Sequence, residues 1–516
     1  MESPATSSAS AATRPGVVWL AVAVVYLALA IGSVRFGGMN PDEGFYAAAA
    51  RAAWQGEMPY RDFGYTQMPL LPYINGVALA WSDFGLFAQR AVNGIWSALT
   101  VGLLGCWLTR RHGARPAMVA VLLLAANPAW MYFNHLGKTY AFTGLVALTA
   151  AIVHLELKPS WRKCALLGSL GIVGLGCRLP AAPFFALLWL AALVESWPRT
   201  RGAWPLAGAI VGPLLTAVVL LGPFGLAAAA EFRFWTFDFH RSSLPSKDWQ
   251  VGWVDHLALA PGAWVAAGFA CAVWIGRPRW SPAIALGGAA LVTLAANLLP
   301  RGTYEEYATP LLPALVLAAA VGLSRLTGRT ATAGGALLLA AQLLLPPALG
   351  WRAHPERRFT PAAWLTANAP PYEPALPAQL ERVRAAVNHY AGPTGHVVGP
   401  NLIVALSSGR PIAPDLRMGP FTATSELSAA AAARLHLATP ERLLAEFSDP
   451  RCRLLAFFTR PLLNYAWSMP SFANLPQADR RAWVELFRRD FEVVLQEGDF
   501  LLLARRPLTA PPAPPP

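Results

Sequence analysis

Residues Met39 to Tyr73 read MNPDEGFYAAAARAAWQGEMPYRDFGYTQMPLLPY. This polar stretch follows the first long apolar segment and carries two adjacent carboxylates, a short helical run, an Arg-Asp pair and a proline-flanked aromatic motif. Asn40 suits a helix cap, Pro41 the first helical position, and Glu43 stands where the acid of a capping box stands. Both acids complement a helix dipole. They also stand directly after an apolar segment, where a carboxylate near a bilayer edge is costly enough to mark a function.

Around this stretch the chain is overwhelmingly apolar. Of 516 residues, 55% are hydrophobic and 13% charged, against about 25% charged in soluble proteins, so a soluble enzyme is the wrong starting class. The net charge of +13 is not spread as a nucleic-acid footprint. Its basic residues fall in small groups between apolar runs, the pattern of the positive-inside rule. No nucleic-acid partner is expected. The five cysteines are scattered without the spacing of a zinc site or a disulfide framework. The first 14 residues lack the pattern of a cleavable signal, so the following apolar run is expected to stay as a spanning helix.

About eleven segments approach the ~20 residues that cross a bilayer: Val17 to Val34, Ala91 to Thr109, Pro116 to Phe133, Thr139 to Leu155, Cys164 to Cys177, Leu179 to Val194, Ala203 to Ala228, Leu257 to Gly276, Trp280 to Pro300, Ala308 to Ser324 and Ala331 to Gly350. The fifth and sixth are short and joined at Arg178 and Pro180, so they read equally as a re-entrant pair. Basic groups around Arg110, Lys158 to Lys163, Arg199, Arg277 and Arg325 occupy every second link, which places them on the cytoplasmic side. The opposite, extracytoplasmic face then receives the loop from Arg35 to Arg90, the turn at His135 to Lys138, Arg178, the loop from Glu231 to Asp255, the Arg301 to Tyr307 turn and everything beyond Gly350. A multi-pass protein of the plasma (inner) membrane is expected.

The domain boundaries that follow are a cytoplasmic tail over 1–16, a transmembrane domain over 17–350 with its external loop at 35–90, an extracytoplasmic α/β domain over 351–506 and a disordered Pro-rich tail over 507–516. In the α/β domain, strands are expected at His396 to Val398, Leu402 to Leu406, Leu454 to Phe458, Phe491 to Leu495 and Phe500 to Leu503, with helices at Pro377 to Tyr390, Glu426 to Leu437 and Asp479 to Arg489. Glu231 to Trp249 alternates aromatics with charges, as an interfacial segment does.

The acidic pair after the first span, followed by Gly56-Glu57-Met58-Pro59-Tyr60-Arg61-Asp62-Phe63 and Gln67-Met68-Pro69-Leu70-Leu71-Pro72-Tyr73, resembles the GT-C superfamily of polyprenyl-phosphate-sugar glycosyltransferases, and within it the aminoarabinose-transferase and protein O-mannosyltransferase group. Arg301 to Pro313, RGTYEEYATPLLP, is similar to the aromatic-then-proline lead into a late span of that family. The resemblance implies a polytopic α-helical membrane protein. It also implies transfer of a sugar, with inversion, from a polyprenyl-phosphate donor to a glycolipid, glycan or protein hydroxyl on the external leaflet. Membrane lipids and the lipid-linked donor are the expected partners.

Asp42 matches the first-loop aspartate of the family and is the candidate general base, a role that partial burial assists. Asp42 and Glu43 together read equally as ligands of Mg²⁺ or Mn²⁺, since hard oxygen donors suit both ions. A lipid-phosphate leaving group also needs fixed positive charge. Its candidates are Arg61, Lys138, Arg178, Arg233, His240, Arg241 and Arg301, of which Arg178 and Arg301 sit at tight junctions of apolar segments. Long cationic side chains also snorkel routinely to the interface, and Arg61 has Asp62 beside it. Tyr304 and Tyr307 are candidates for stacking on a sugar. Two positions depart from the family pattern. Gln67-Met68-Pro69 stands where relatives in the aminoarabinose group often carry Lys-Pro-Pro, and the turn Asn134 to Lys138 lacks an acid that some relatives carry.

The rival class is a transporter or flippase of an amphipathic solute. It would show two related halves with broken helices at matching positions, and no internal repeat is evident. A sensor acting through the C-terminal domain is a third class. Asp415, His396 and His436 of that domain form no motif.

Overall fold

The computed structural model describes residues 15–34, 40–125, 127–200, 204–242, 282–298, 305–326, 328–348, 376–458, 476–498 and 500–507. The membrane part runs α1 (Pro15–Val34), α2 (Pro41–Trp54), α3 (Leu70–Leu79), α4 (Leu86–His112), α5 (Ala114–Ala125), α6 (Pro128–Phe133), α7 (Tyr140–Glu156), α8 (Trp161–Cys177), α9 (Ala182–Thr200), α10 (Trp204–Leu220), α11 (Gly222–Ala227), α12 (Ala229–Arg233), α13 (Phe239–Ser242), α14 (Pro282–Leu298), α15 (Leu312–Leu323) and α16 (Gly328–Ala348). Each expected span falls on a described helix except Leu257 to Gly276, which lies outside the described residues.

Among the described residues, three helices are long and apolar enough to cross a bilayer by themselves: Leu86–His112, Leu179–Pro198 and Glu306–Leu323. The 27 residues of α4 extend about 40 Å at the α-helical rise. The α10 face of Val211, Leu214, Leu215, Val218 and Val219 is exposed and wholly apolar, a surface suited to hydrocarbon.

Prolines break spans that read as continuous in the sequence. Pro116 to Phe133 divides into α5 and α6 because Pro128 has no N–H, and the Asn127 side chain caps the new helix by accepting from the Trp130 N–H at 3.0 Å. Pro223 stands in the first turn of α11, where Ala203 to Ala228 breaks after Leu220. Ala308 to Ser324 begins as a 3₁₀ turn over Glu305–Leu311 before α15. The fifth and sixth spans are separate helices, α8 and α9, joined through an extended Arg178 and a 3₁₀ turn over Leu179–Ala181. Lys163, counted with the topological basic residues, is instead buried and paired with Glu195 at 2.7 Å, which fastens α8 to α9.

The C-terminal domain comprises α17 (Leu376–Ala391), β1 (His396–Val398), α18 (Leu402–Ser407), α19 (Ala429–Arg434), α20 (Pro440–Ser448), β2 (Cys452–Phe457), α21 (Gln477–Asp490), β3 (Phe491–Glu497) and β4 (Phe500–Arg505). Its sheet has the order β1-β2-β4-β3, parallel between β1 and β2 and antiparallel elsewhere. The strand expected at Leu402 to Leu406 is a helix. All six residues of α18 are buried, and a fully buried apolar run has no polar alternation with which to announce its period.

This domain is clamped to the loop between α1 and α4. A single apolar cluster joins Phe45, Tyr60, Phe63 and Trp235 of the membrane part to Leu402, Ile403 and Leu454 of the C-terminal domain. Trp235 donates through Nε1 to the Leu435 carbonyl at 3.1 Å, and His436 Nε2 meets the Arg61 carbonyl at 2.9 Å. Arg51 donates to the Arg410 carbonyl at 3.2 Å, and Arg417 pairs with Glu57. The stretch around Trp235, expected to be interfacial, is helical in its described part, and the Trp235 ring is buried. A Cβ at Gly64 would come within 2.5 Å of that ring, so only glycine fits the crossing. Gly64→Leu should loosen the clamp and speed proteolysis of the C-terminal domain in detergent. Gly225→Leu, at a position with nothing within 4 Å of a built Cβ, should leave the cleavage rate unchanged.

Candidate functional site

The first turn of α2 sends its two acids to different partners. The Asn40 side chain accepts from the Asp42 N–H, and the Asn40 N–H donates to Glu43 Oε2 at 3.0 Å, so the capping box read from the sequence is present. Glu43 is fully buried. Arg90 of α4 grips both its oxygens, Nε to Oε1 at 2.7 Å and Nη2 to Oε2 at 2.5 Å, and the Gly137 N–H adds a third donor at 3.0 Å. A bidentate pair of this kind fixes orientation as well as charge.

The Gly137 contact fixes the turn before α7. Gln89 Nε2 also donates to the Gly137 carbonyl at 2.8 Å, and the Ser97 hydroxyl to the Asn134 carbonyl at 3.3 Å. The next residue, Lys138, is therefore delivered to Asp42, with Nζ 2.8 Å from Asp42 Oδ2. Lys138 is 4% exposed, and its second carboxylate, Glu306, lies 3.2 Å away in the 3₁₀ turn before α15. Burial opposes the Lys138 charge, but Asp42 and Glu306 outweigh it and hold the ammonium well above the usual lysine range. Asp42 keeps 26% of its side chain exposed and Glu306 15%, so this end of the cluster is open.

Arg178, at the α8–α9 junction, forms the other end. It is 3% exposed. Its guanidinium lies over the ring of Tyr140 at 4.3 Å and that of Tyr307 at 4.7 Å. Nη1 donates to the Thr139 hydroxyl at 2.9 Å, while Nε and Nη2 are buried with no hydrogen-bond partner among the described residues. Tyr140 in turn donates its hydroxyl to Glu306 at 3.1 Å. Tyr46, one turn along α2 from Asp42, interacts electrostatically with Asp42, Lys138, Arg178 and Tyr307.

Asp42, Lys138, Arg178 and Tyr307 of the candidates read from the sequence are thus brought together. Arg61 is not among them. It is half-exposed and bound to Asp62 at 2.7 Å, and its hydrogen bonds hold the Asp62 carboxyl below the usual range. Arg301, Tyr304 and the side chain of Arg241 lie outside the described residues. Glu43 faces Arg90 and not Asp42. The pair therefore does not fit a shared Mg²⁺ or Mn²⁺, and no cluster of three or more His, Cys, Asp or Glu side chains suited to a metal exists among the described residues.

Sequence reasoning missed Glu306, Tyr140, Thr139 and Arg90. A signal existed for two of them. Glu306 is an acid leading into a span, as Asp42 is an acid leaving one, and Arg90 is a charge at the head of an apolar run. Of the C-terminal residues set aside, His436 binds the Tyr60–Arg61 backbone and Asp415 lies 3.9 Å from Arg442.

Removing one partner of a buried pair costs about 3–5 kcal/mol, whereas exposed pairs are worth ~0–1 kcal/mol. Arg90→Met should therefore lower the thermal midpoint in detergent by many degrees. Arg384→Gln, which breaks an exposed pair with Asp83, should leave it within about a degree.

No protein-family model matches the sequence, and no curated protein matches it either. Solved structures do. ArnT from Cupriavidus metallidurans bound to undecaprenyl phosphate aligns at a TM-score of 0.62 and 15% identity, over 96% of this chain and 99% of that one. The apo state of the same protein aligns at 0.63 and 17%, over 95% and 97%. The Archaeoglobus fulgidus oligosaccharyltransferase in complex with Zn and sulfate gives 0.43 and 13%, over 86% and 67%. The chain has the fold of ArnT, an architecture of helical spans with a small C-terminal α/β domain.

Proposed function

We propose that this protein is an integral-membrane glycosyltransferase that moves a sugar from a polyprenyl-phosphate donor to an acceptor hydroxyl on the extracytoplasmic face of the inner membrane. The observation that carries the reading is the environment of Arg178. A buried guanidinium with two donor atoms that find no partner among the described residues is costly unless an anion completes it. It stands within electrostatic reach of Tyr46, Tyr140, Tyr307 and Glu306, in the same cluster as an accessible carboxylate, Asp42. A lipid phosphate has the charge and the acceptor geometry that this arginine lacks. The ArnT structure with which the chain shares its fold contains undecaprenyl phosphate, which favours the same class of donor here.

In this reading the acceptor hydroxyl attacks the anomeric carbon from the face opposite the phosphate and gives its proton to Asp42. The sugar–oxygen bond to the phosphate breaks, and its electron pair leaves on the phosphate oxygen, where Arg178 neutralises the developing charge. One displacement inverts the anomeric centre. Tyr140 and Tyr307 hold the guanidinium plane, while Glu43 acts through Arg90 and Gly137 to position Asp42 and Lys138. A transporter would call for paired broken helices related by a repeat. The asymmetric gathering of acids and cations around one external loop favours an enzyme. The basic groups Arg110-Arg111 and Arg325, at the far ends of α4 and α15, support the outward orientation of the site.

Asp42→Asn should reduce transfer at least ~100-fold, the lower end of what general-base catalysis supplies, with the protein still folded and inserted. Arg178→Gln should abolish binding of undecaprenyl phosphate. Mass spectrometry of external glycolipids and glycoproteins, with and without the gene, identifies the product to be measured. Near-normal product in the Asp42→Asn strain removes Asp42 from the mechanism.

A further inference from the structure

Glu306 has no part in the chemistry described above, yet it touches two members of the site. Its Oε1 accepts from Lys138 Nζ at 3.2 Å and from the Tyr140 hydroxyl at 3.1 Å. It comes from a different segment of the chain than either acid of the first loop, and it competes with Asp42 for one buried ammonium. From this geometry we propose that Glu306 is the positioning residue of the site: it draws Lys138 partly off Asp42, leaving the base free to accept a proton, and it moderates the grip of Arg178 on the lipid phosphate. The inference rests on the reaction proposed above.

Two physical arguments carry it. A carboxylate that accepts the whole of a neighbouring ammonium has a lone pair occupied and a cation opposing its protonation, and both handicap a general base. Lys138 has three donor hydrogens, and its second partner comes from the turn before α15, a different segment from the α2 turn that carries Asp42. Dividing the ammonium between two carboxylates weakens its hold on each.

The second argument is charge balance. Among the described residues, Asp42 and Glu306 against Lys138 and Arg178 sum to zero. An arriving lipid phosphate thus meets a receptive guanidinium in a neutral surrounding, and the phosphate left after transfer can depart. Without Glu306 the same surrounding carries one positive charge, and Glu306 is within electrostatic reach of Arg178. The phosphate would then bind more tightly and leave more slowly.

Glu306→Gln separates this role from a structural one, because the amide oxygen can still accept from Tyr140 while the charge is gone. The probe is undecaprenyl phosphate in detergent micelles, titrated against purified wild-type and variant protein. Glu306→Gln should bind it roughly five-fold or more tightly, the effect of one charge removed at a separation of several ångströms in a partly screened site. The same variant should make at least about ten-fold less of the product identified by mass spectrometry. Glu306→Asp, which keeps the charge, should bind the probe within about two-fold of wild type and recover part of the transfer.

A merely structural residue would lose binding and transfer together. Unchanged or weaker binding by Glu306→Gln overturns the inference, as does tighter binding by Glu306→Asp, which also decides the matter should the Gln variant fail to fold. If wild-type protein itself does not bind undecaprenyl phosphate, the proposed function fails and the role of Glu306 falls with it.

Discussion

The buried pair of Glu43 and Arg90 is the constraint on which the site depends. Two adjacent residues at a helix start cannot both point at one ligand when the second is gripped from the side by an arginine on the next long helix. The cap orients the α2 turn, Arg90 takes both Glu43 oxygens, and the Gly137 N–H closes on the same carboxylate. These three contacts join segments that are distant in sequence. Asp42 is then left facing the turn that carries Lys138. Such a pair is poor evidence of net stability, because desolvating both ions offsets much of their attraction. Its value lies in geometry: the misplacement of one partner would leave the other as an uncompensated charge.

Arg178 presents the complementary case. Its neighbours are aromatic faces and a threonine hydroxyl, and no carboxylate among the described residues pairs with it directly. Tyr140 and Tyr307 attract the cation through their rings without consuming its in-plane donors, so the fork remains available for a planar or tetrahedral oxyanion. The extended backbone of Arg178 between α8 and the following 3₁₀ turn interrupts the helical spans at the site. Helix ends and short irregular turns also supply Lys138 and Glu306. Irregular backbone at membrane depth is tolerated only where protein or a polar cavity surrounds it, which is why the polar residues of the site concentrate at these breaks.

The membrane spans were legible in the sequence because hydrocarbon imposes length and apolarity on every crossing. The cap at Asn40 to Glu43 was legible because capping is local chemistry. Strands β2, β3 and β4 fell close to their expected places, although only β4 alternates buried with part-exposed positions. What could not be read was anything fixed by meetings between distant segments. Leu402 to Leu406 is apolar throughout, and only its packing between β1 and α2 decides that it coils. Glu43 and Asp42 look equivalent as neighbours, and their roles divide only once Arg90 is folded against one of them. Lys163 looked like a cytoplasmic flank until Glu195 closed on it.

The departures from the family pattern gain a physical sense from the same meetings. The sequence has no acid in the turn Asn134 to Lys138 and no lysine at Gln67-Met68-Pro69, so neither charge stands on those two loops. Gln67 offers its backbone carbonyl to the Tyr60 hydroxyl at 2.5 Å, and neighbouring Thr66 offers its own to His240, so this segment serves to hold the loop together. The turn Asn134 to Lys138 contributes a cation, and the 3₁₀ turn before α15 contributes an acid beside it. A site of this kind is constrained by the sum and placement of its charges and not by which loop bears them. Coulomb energy depends on separation in space, so a lysine and a glutamate on different loops can together supply a balance of charge that no single loop of this chain carries.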